Sequence, residues 1–66
     1  MKMTYDPDVD ALYIELTDEA ISKSVDIEEG VTLDLDASGQ VIGIEILDVR
    51  RRIDVDALTT ASTAAR

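Results

Sequence analysis

Aspartates recur in this 66-residue chain at spacings that chemistry could use. Asp6, Asp8 and Asp10 read D-x-D-x-D, the opening of an EF-type calcium loop, in which alternate carboxylates converge on one cation. The rest of that loop is missing. With Asp6 as the first position, Ala11 stands where the sharp turn needs glycine, and Thr17 where a bidentate glutamate is needed. The simpler reading is a turn, with Asp6 as a local hydrogen-bond acceptor and Asp10 at the start of a strand. Asp26, Asp34 and Asp36 alternate with apolar residues, which places them on the outer face of a sheet. Paired carboxylates can move protons or hold Mg²⁺, but that work needs a concave, dehydrated site. On a sheet face they read as solvated charges that discourage edge-to-edge aggregation. Arg50, Arg51 and Arg52 could grip phosphate or an acidic partner. Among fifteen carboxylates they read more simply as charge compensation within the chain. No catalytic, cofactor-binding or metal-ligating residue is assigned, and no cofactor is expected.

Composition narrows the chemistry further. There is no His and no Cys, so imidazole or thiolate zinc sites, a Cys nucleophile and a Ser-His-Asp triad are excluded within one chain. Two tyrosines are the only aromatics and the formal net charge is −9, which argues against a base-stacking nucleic-acid surface and against anionic membranes. The same charge suits a small basic protein partner. The N-terminus lacks an apolar leader segment. The longest apolar stretch, Val41 to Leu47, falls far short of the roughly 20 residues of a membrane span. A cytoplasmic protein is expected.

The elements that must carry these residues follow from periodicity. Met1, Met3 and Tyr5 alternate with Lys2 and Thr4 in a first strand, and Asp6-Pro7-Asp8 marks a turn. Leu12, Ile14 and Leu16 define a second strand, Val25 and Ile27 a third. Glu29-Gly30 is a tight turn. Val31, Leu33 and Leu35 define a fourth strand, and Ile42, Ile44 and Ile46 a fifth. After Leu47 the spacing of Ile53, Ala57, Leu58 and Ala61 suits a helix over about 54–62, with Asp54 as N-cap and a frayed tail at 63–66. The expected fold is α+β: one domain over residues 1–66, a four- to five-stranded antiparallel meander over 1–47, and the C-terminal helix packed on its inner face.

Parity also constrains the register. Residues opposite each other in an antiparallel pair share a face, so Leu33 and Ile44 face the core together only if opposed positions sum to an odd number. That requires a two- or four-residue loop at Ser38-Gly39 and excludes the three-residue loop that Gly39 alone would suggest. Leu33 and Ile44 are expected to be fully buried. Tyr13, Ala11, Val41 and Leu47 share the outer parity and would form an interface patch if contiguous.

Two blocks resemble a known family. Tyr5-Asp6-Pro7-Asp8-Val9-Asp10-Ala11-Leu12-Tyr13-Ile14 is the first. Gly30 to Asp36, then Gly39 and Val41 to Leu47, is the second. Together they resemble a small bacterial family catalogued as domain of unknown function 2283, over roughly residues 3 to 48. The resemblance implies a small stand-alone domain without an established activity, and it supplies no functional residues.

A domain of this size buries only about 60% of its unfolded surface and is marginal alone. Without disulfides, oligomerisation is the available support. The leading expectation is a non-enzymatic protein-interaction or dimerisation module, a homodimer paired through the fifth strand as an edge. The alternatives are a carboxylate-based metal-dependent or hydrolytic enzyme assembled at an oligomer interface, and a purely structural homo-oligomer.

Overall fold

The computed structural model describes residues 1–54 and Asp56. Its elements in chain order are β1 (Lys2–Asp6), β2 (Ala11–Glu15), β3 (Lys23–Glu28), β4 (Val31–Leu35), β5 (Val41–Leu47) and α1 (Val49–Arg52). The five strands form one antiparallel sheet in the order β1-β2-β5-β4-β3. The sheet is therefore not a simple meander. A hairpin, β1-β2, and a three-stranded meander, β3-β4-β5, are joined where β2 pairs with β5. The expected edge strand β5 lies inside the sheet, with β2 on one side and β4 on the other, so its backbone groups cannot recruit a second chain. The physical reason is simple: Leu12, Ile14, Ile44 and Ile46 bury one another better across a shared ladder than two separate edges would.

The register confirms the odd sum for Leu33 opposite Ile44. It does not confirm the loop inferred from it. Asp36 and Gln40 close the turn, with the Asp36 N–H donating to the Gln40 carbonyl at 2.9 Å and the Gly39 N–H to that of Asp36 at 3.0 Å. Three residues, 37–39, make the loop, and Gly39 has φ +87°, the left-handed conformation that such a turn needs. Parity is restored further on. Asp34 faces Gly43 but Leu35 faces Val41, so Ile42 is an extra residue that bulges β5 by one position.

The strand faces emerge as transverse rows. Met3, Ile14, Ile44, Leu33 and Val25 lie opposite one another across all five strands, and Tyr5, Leu12, Ile46 and Val31 form the next row. Among the described residues, the buried apolar side chains are Leu12, Ile42 and Val49. Leu33 and Ile44 are half-buried rather than fully buried. Neighbours in a sheet screen a side chain only in part; its burial is completed where another element packs over it.

Helical structure starts earlier than the spacing predicts. Asp48 takes a left-handed conformation (φ 54°, ψ 48°) and turns the chain into α1, which ends at the extended Ile53 (φ −142°). Aspartate tolerates this region better than most residues. Of the expected helix over 54–62, only Asp54 and Asp56 are described. The Asp56 N–H donates to Asp54 Oδ1 at 2.9 Å, the bond expected of an N-cap. The rest of that helix and the tail 63–66 lie outside the described residues. Among the described residues, no helix is long and apolar enough to cross a membrane.

Candidate functional site

The outer face carries a polar arrangement that spans four strands. Asp34, in β4, is 8% exposed and keeps both carboxylate oxygens occupied. Ser24 Oγ, from β3, donates to Oδ1 at 2.7 Å, and Tyr13 Oη, from β2, donates to Oδ2 at 2.8 Å. Strand β5 lies between β2 and β4, so the tyrosine has to cross it. It does so over Gly43, the residue opposite both Glu15 and Asp34. A Cβ on Gly43 would overlap Tyr13 Oη and stand 2.8 Å from its Cζ. Glycine is needed here for the space it leaves. The hydrogen bond to Asp34 raises the Tyr13 pKa, with burial next, then the negative charges of Asp34, Glu15 and Glu45. Each of these disfavours the phenolate.

A second tyrosine–aspartate pair sits at the β1-β2 turn. Tyr5 Oη donates to Asp10 Oδ1 at 2.7 Å. Asp10, at φ 56°, also accepts the Arg50 N–H on both oxygens at 3.2 Å, and the Arg50 guanidinium lies 3.8 Å away. Arg50 Cζ stands 5.9 Å from the Tyr5 ring centroid, within cation–π range. The Tyr5 bond does most to hold the Asp10 carboxyl below its ordinary range; burial opposes it, and the Arg50 N–H and positive charge add to the lowering. Tyr5 is shifted up, chiefly by the same hydrogen bond.

The other expected groups resolve individually. Asp6 accepts the Asp8 N–H at 2.9 Å, the local turn bond read from the sequence. Asp26 accepts the Thr32 hydroxyl at 2.7 Å. Asp36 accepts the Ser38 hydroxyl and the N–H groups of Ser38 and Gln40, and the first of these contributes most to its lowered pKa. Each arginine of the cluster meets a carboxylate: Arg50 with Asp10, Arg51 with Asp48 at 3.6 Å, and Arg52 with Glu28 at 2.9 Å. Arg52 also donates to the Glu29 carbonyl at 2.7 Å and so clasps the β3-β4 turn. Charge compensation within the chain accounts for all three. Among the described residues, no three acidic side chains converge as a metal site.

Asp34 corrects the reading of a solvated acidic face: it is buried under two hydroxyls. Sequence reasoning placed Tyr13 and Asp34 on one face but missed their pairing. The available signal was Gly43, the one glycine inside a strand pattern, which marks close approach by another group. Ala11 and Leu47 of the outer apolar patch do lie opposite each other, whereas Val41 is carried past the bulge to face Leu35.

On the opposite face, the row Met3, Ile14, Ile44, Leu33 and Val25 is apolar in every strand, and each member is half-buried. Among the described residues, then, one face carries the hydrogen-bonded Tyr13–Asp34–Ser24 group and the other this half-buried apolar row. No curated protein and no solved structure matches the chain. The family model described as "Protein of unknown function (DUF2283)" matches residues 2–50, taking in all five strands and the start of α1, and the chain belongs to that family.

Proposed function

We propose that the chain is a non-enzymatic protein-interaction module that works as a homodimer and packs its apolar sheet face against protein. The observation that carries this is the five-residue row of half-buried apolar side chains from Met3 to Val25. Completing the burial of each such side chain contributes about 1 kcal/mol, which a small marginal domain can use. The net charge of −9 supports a small basic protein as a further partner and opposes nucleic acid and anionic membranes. No geometry among the described residues favours the carboxylate enzyme, in which acidic groups would have to converge.

Light scattering at tens of micromolar, together with binding of an environment-sensitive apolar dye, tests the proposal. The expected mass is twice the chain's 7.2 kDa. The expected dye signal is one that falls in Leu33→Ser while circular dichroism stays unchanged. A monomer whose dye signal ignores Leu33→Ser overturns it.

A further inference from the structure

The two edges of the sheet are unlike. Along β3 the register slips between Asp26 and Glu28, and Ile27 stands 56% exposed at the slip. A bulge of this kind twists an edge away from new partners. β1 keeps an unbroken register with β2, from Lys2 opposite Glu15 to Asp6 opposite Ala11. No described strand pairs with its outer side. Its exposure pattern is symmetric about Thr4: Lys2, Thr4 and Asp6 are exposed, while Met3 and Tyr5 are half-buried.

We propose that β1 pairs antiparallel with β1 of a second copy, about a two-fold axis at Thr4. This names the contact for the homodimer proposed above and rests on that reading. Opposed residues must share a face, so Lys2 can meet only Lys2, Thr4 or Asp6 of the other chain. Centring on Met3 or on Tyr5 pairs three residues of each strand and leaves Lys2 away from Asp6. Centring on Thr4 pairs all five. It sets Lys2 against Asp6 at both ends, Met3 against Tyr5 twice, and Thr4 against itself. Opposite charges directly across a ladder are favourable, and so are apolar–aromatic and Thr–Thr pairs. The contact is self-complementary, so it closes as a dimer and does not propagate. It also extends the apolar face, because Met3 and Tyr5 belong to that face in both copies.

The chain has no cysteine, so single-cysteine variants read the register directly. Thr4→Cys should form an intermolecular disulfide under mild oxidation, whereas Lys2→Cys, with Asp6 opposite, should stay largely reduced. By sedimentation, Lys2→Asp should weaken the dimer about tenfold, and Lys2→Asp with Asp6→Lys should recover it. A monomeric wild type overturns this proposal and the dimer reading together. A wild-type dimer in which Lys2→Cys cross-links as readily as Thr4→Cys, or in which Lys2→Asp has no effect, overturns the β1 register alone.

Discussion

The molecule uses one bond, a tyrosine hydroxyl donating to an aspartate, in two settings. Tyr13 and Asp34 are joined across an intervening strand, with the carboxylate buried and held by two neutral hydroxyls. Tyr5 and Asp10 are joined beside a turn, with the carboxylate half-exposed and faced by Arg50. The nearly equal lengths, 2.8 and 2.7 Å, conceal a difference in what each bond does. At Asp10, water and a cation stand ready to replace a lost donor. At Asp34 there is little water, and the other neighbours of Tyr13 include the carboxylates of Glu15 and Glu45. Removing a donor there leaves a buried acceptor unsatisfied, and that asymmetry sets the cost.

The harshest way to break the first setting is to fill the gap under the Tyr13 ring. Gly43→Ala should destabilise the domain by about 3 kcal/mol in denaturant melts, since the ring must move and the Asp34 bond is lost with it. A loss within the roughly 0.5 kcal/mol typical of surface substitutions would show that Tyr13 does not cross β5 as described. Next come the two conservative truncations, compared directly. Tyr13→Phe should cost about 1.5 kcal/mol and Tyr5→Phe clearly less, because only the former strands a buried oxygen. Equal costs would mean that the settings are equivalent.

Titration sharpens the contrast with smaller effects. Both tyrosines should ionise above the ordinary 10.0 in ultraviolet absorbance. Their folded values are raised, so the stability they contribute is complete below the unfolded value and is lost as pH rises through the folded one. Asp34→Asn should bring Tyr13 down and leave Tyr5 in place. If both midpoints move, the two pairs are coupled. The acid side concerns Asp10, whose folded value is lowered. Its contribution is complete above the unfolded carboxylate value and is lost as pH falls through the folded one. The stability gap between wild type and Asp10→Asn should therefore close in acid. A gap that persists at low pH would assign the effect of the substitution to something other than charge.

These contrasts were only partly legible in the sequence. Alternation revealed all five strands, because a half-buried sheet writes its faces into every second residue. It also placed Tyr13 and Asp34 on the outer parity. It could not say that β5 would lie between β2 and β4, since that choice rests on contacts between residues far apart in the chain. Without the strand order, Gly43 could not be recognised as the floor beneath Tyr13, nor Asp34 as buried. The loop at 37–39 failed for a different reason. The parity rule holds only for regular ladders, and Ile42 adds the one residue that reconciles a three-residue turn with Leu33 opposite Ile44. The arginine cluster was read correctly as compensation, because short-range charge balance follows from composition, although its partners Asp10 and Glu28 come from distant turns.

The central position of β5 also bears on how the chain acquires its structure. β3, β4 and β5 are consecutive and can zip up from local contacts. The amino-terminal hairpin has no inner neighbour until residues 41–47 exist, since Ala11 must wait for Leu47 and Glu15 for Gly43. These two strands are made before the inner neighbour on which they dock, and that docking joins residues 11–15 to residues 43–47. Closing such a loop is the slow kind of step in small β-rich domains, because chain entropy is lost before contacts repay it. The topology therefore predicts a nucleus in the meander, onto which the hairpin that carries Tyr5 and Tyr13 docks later.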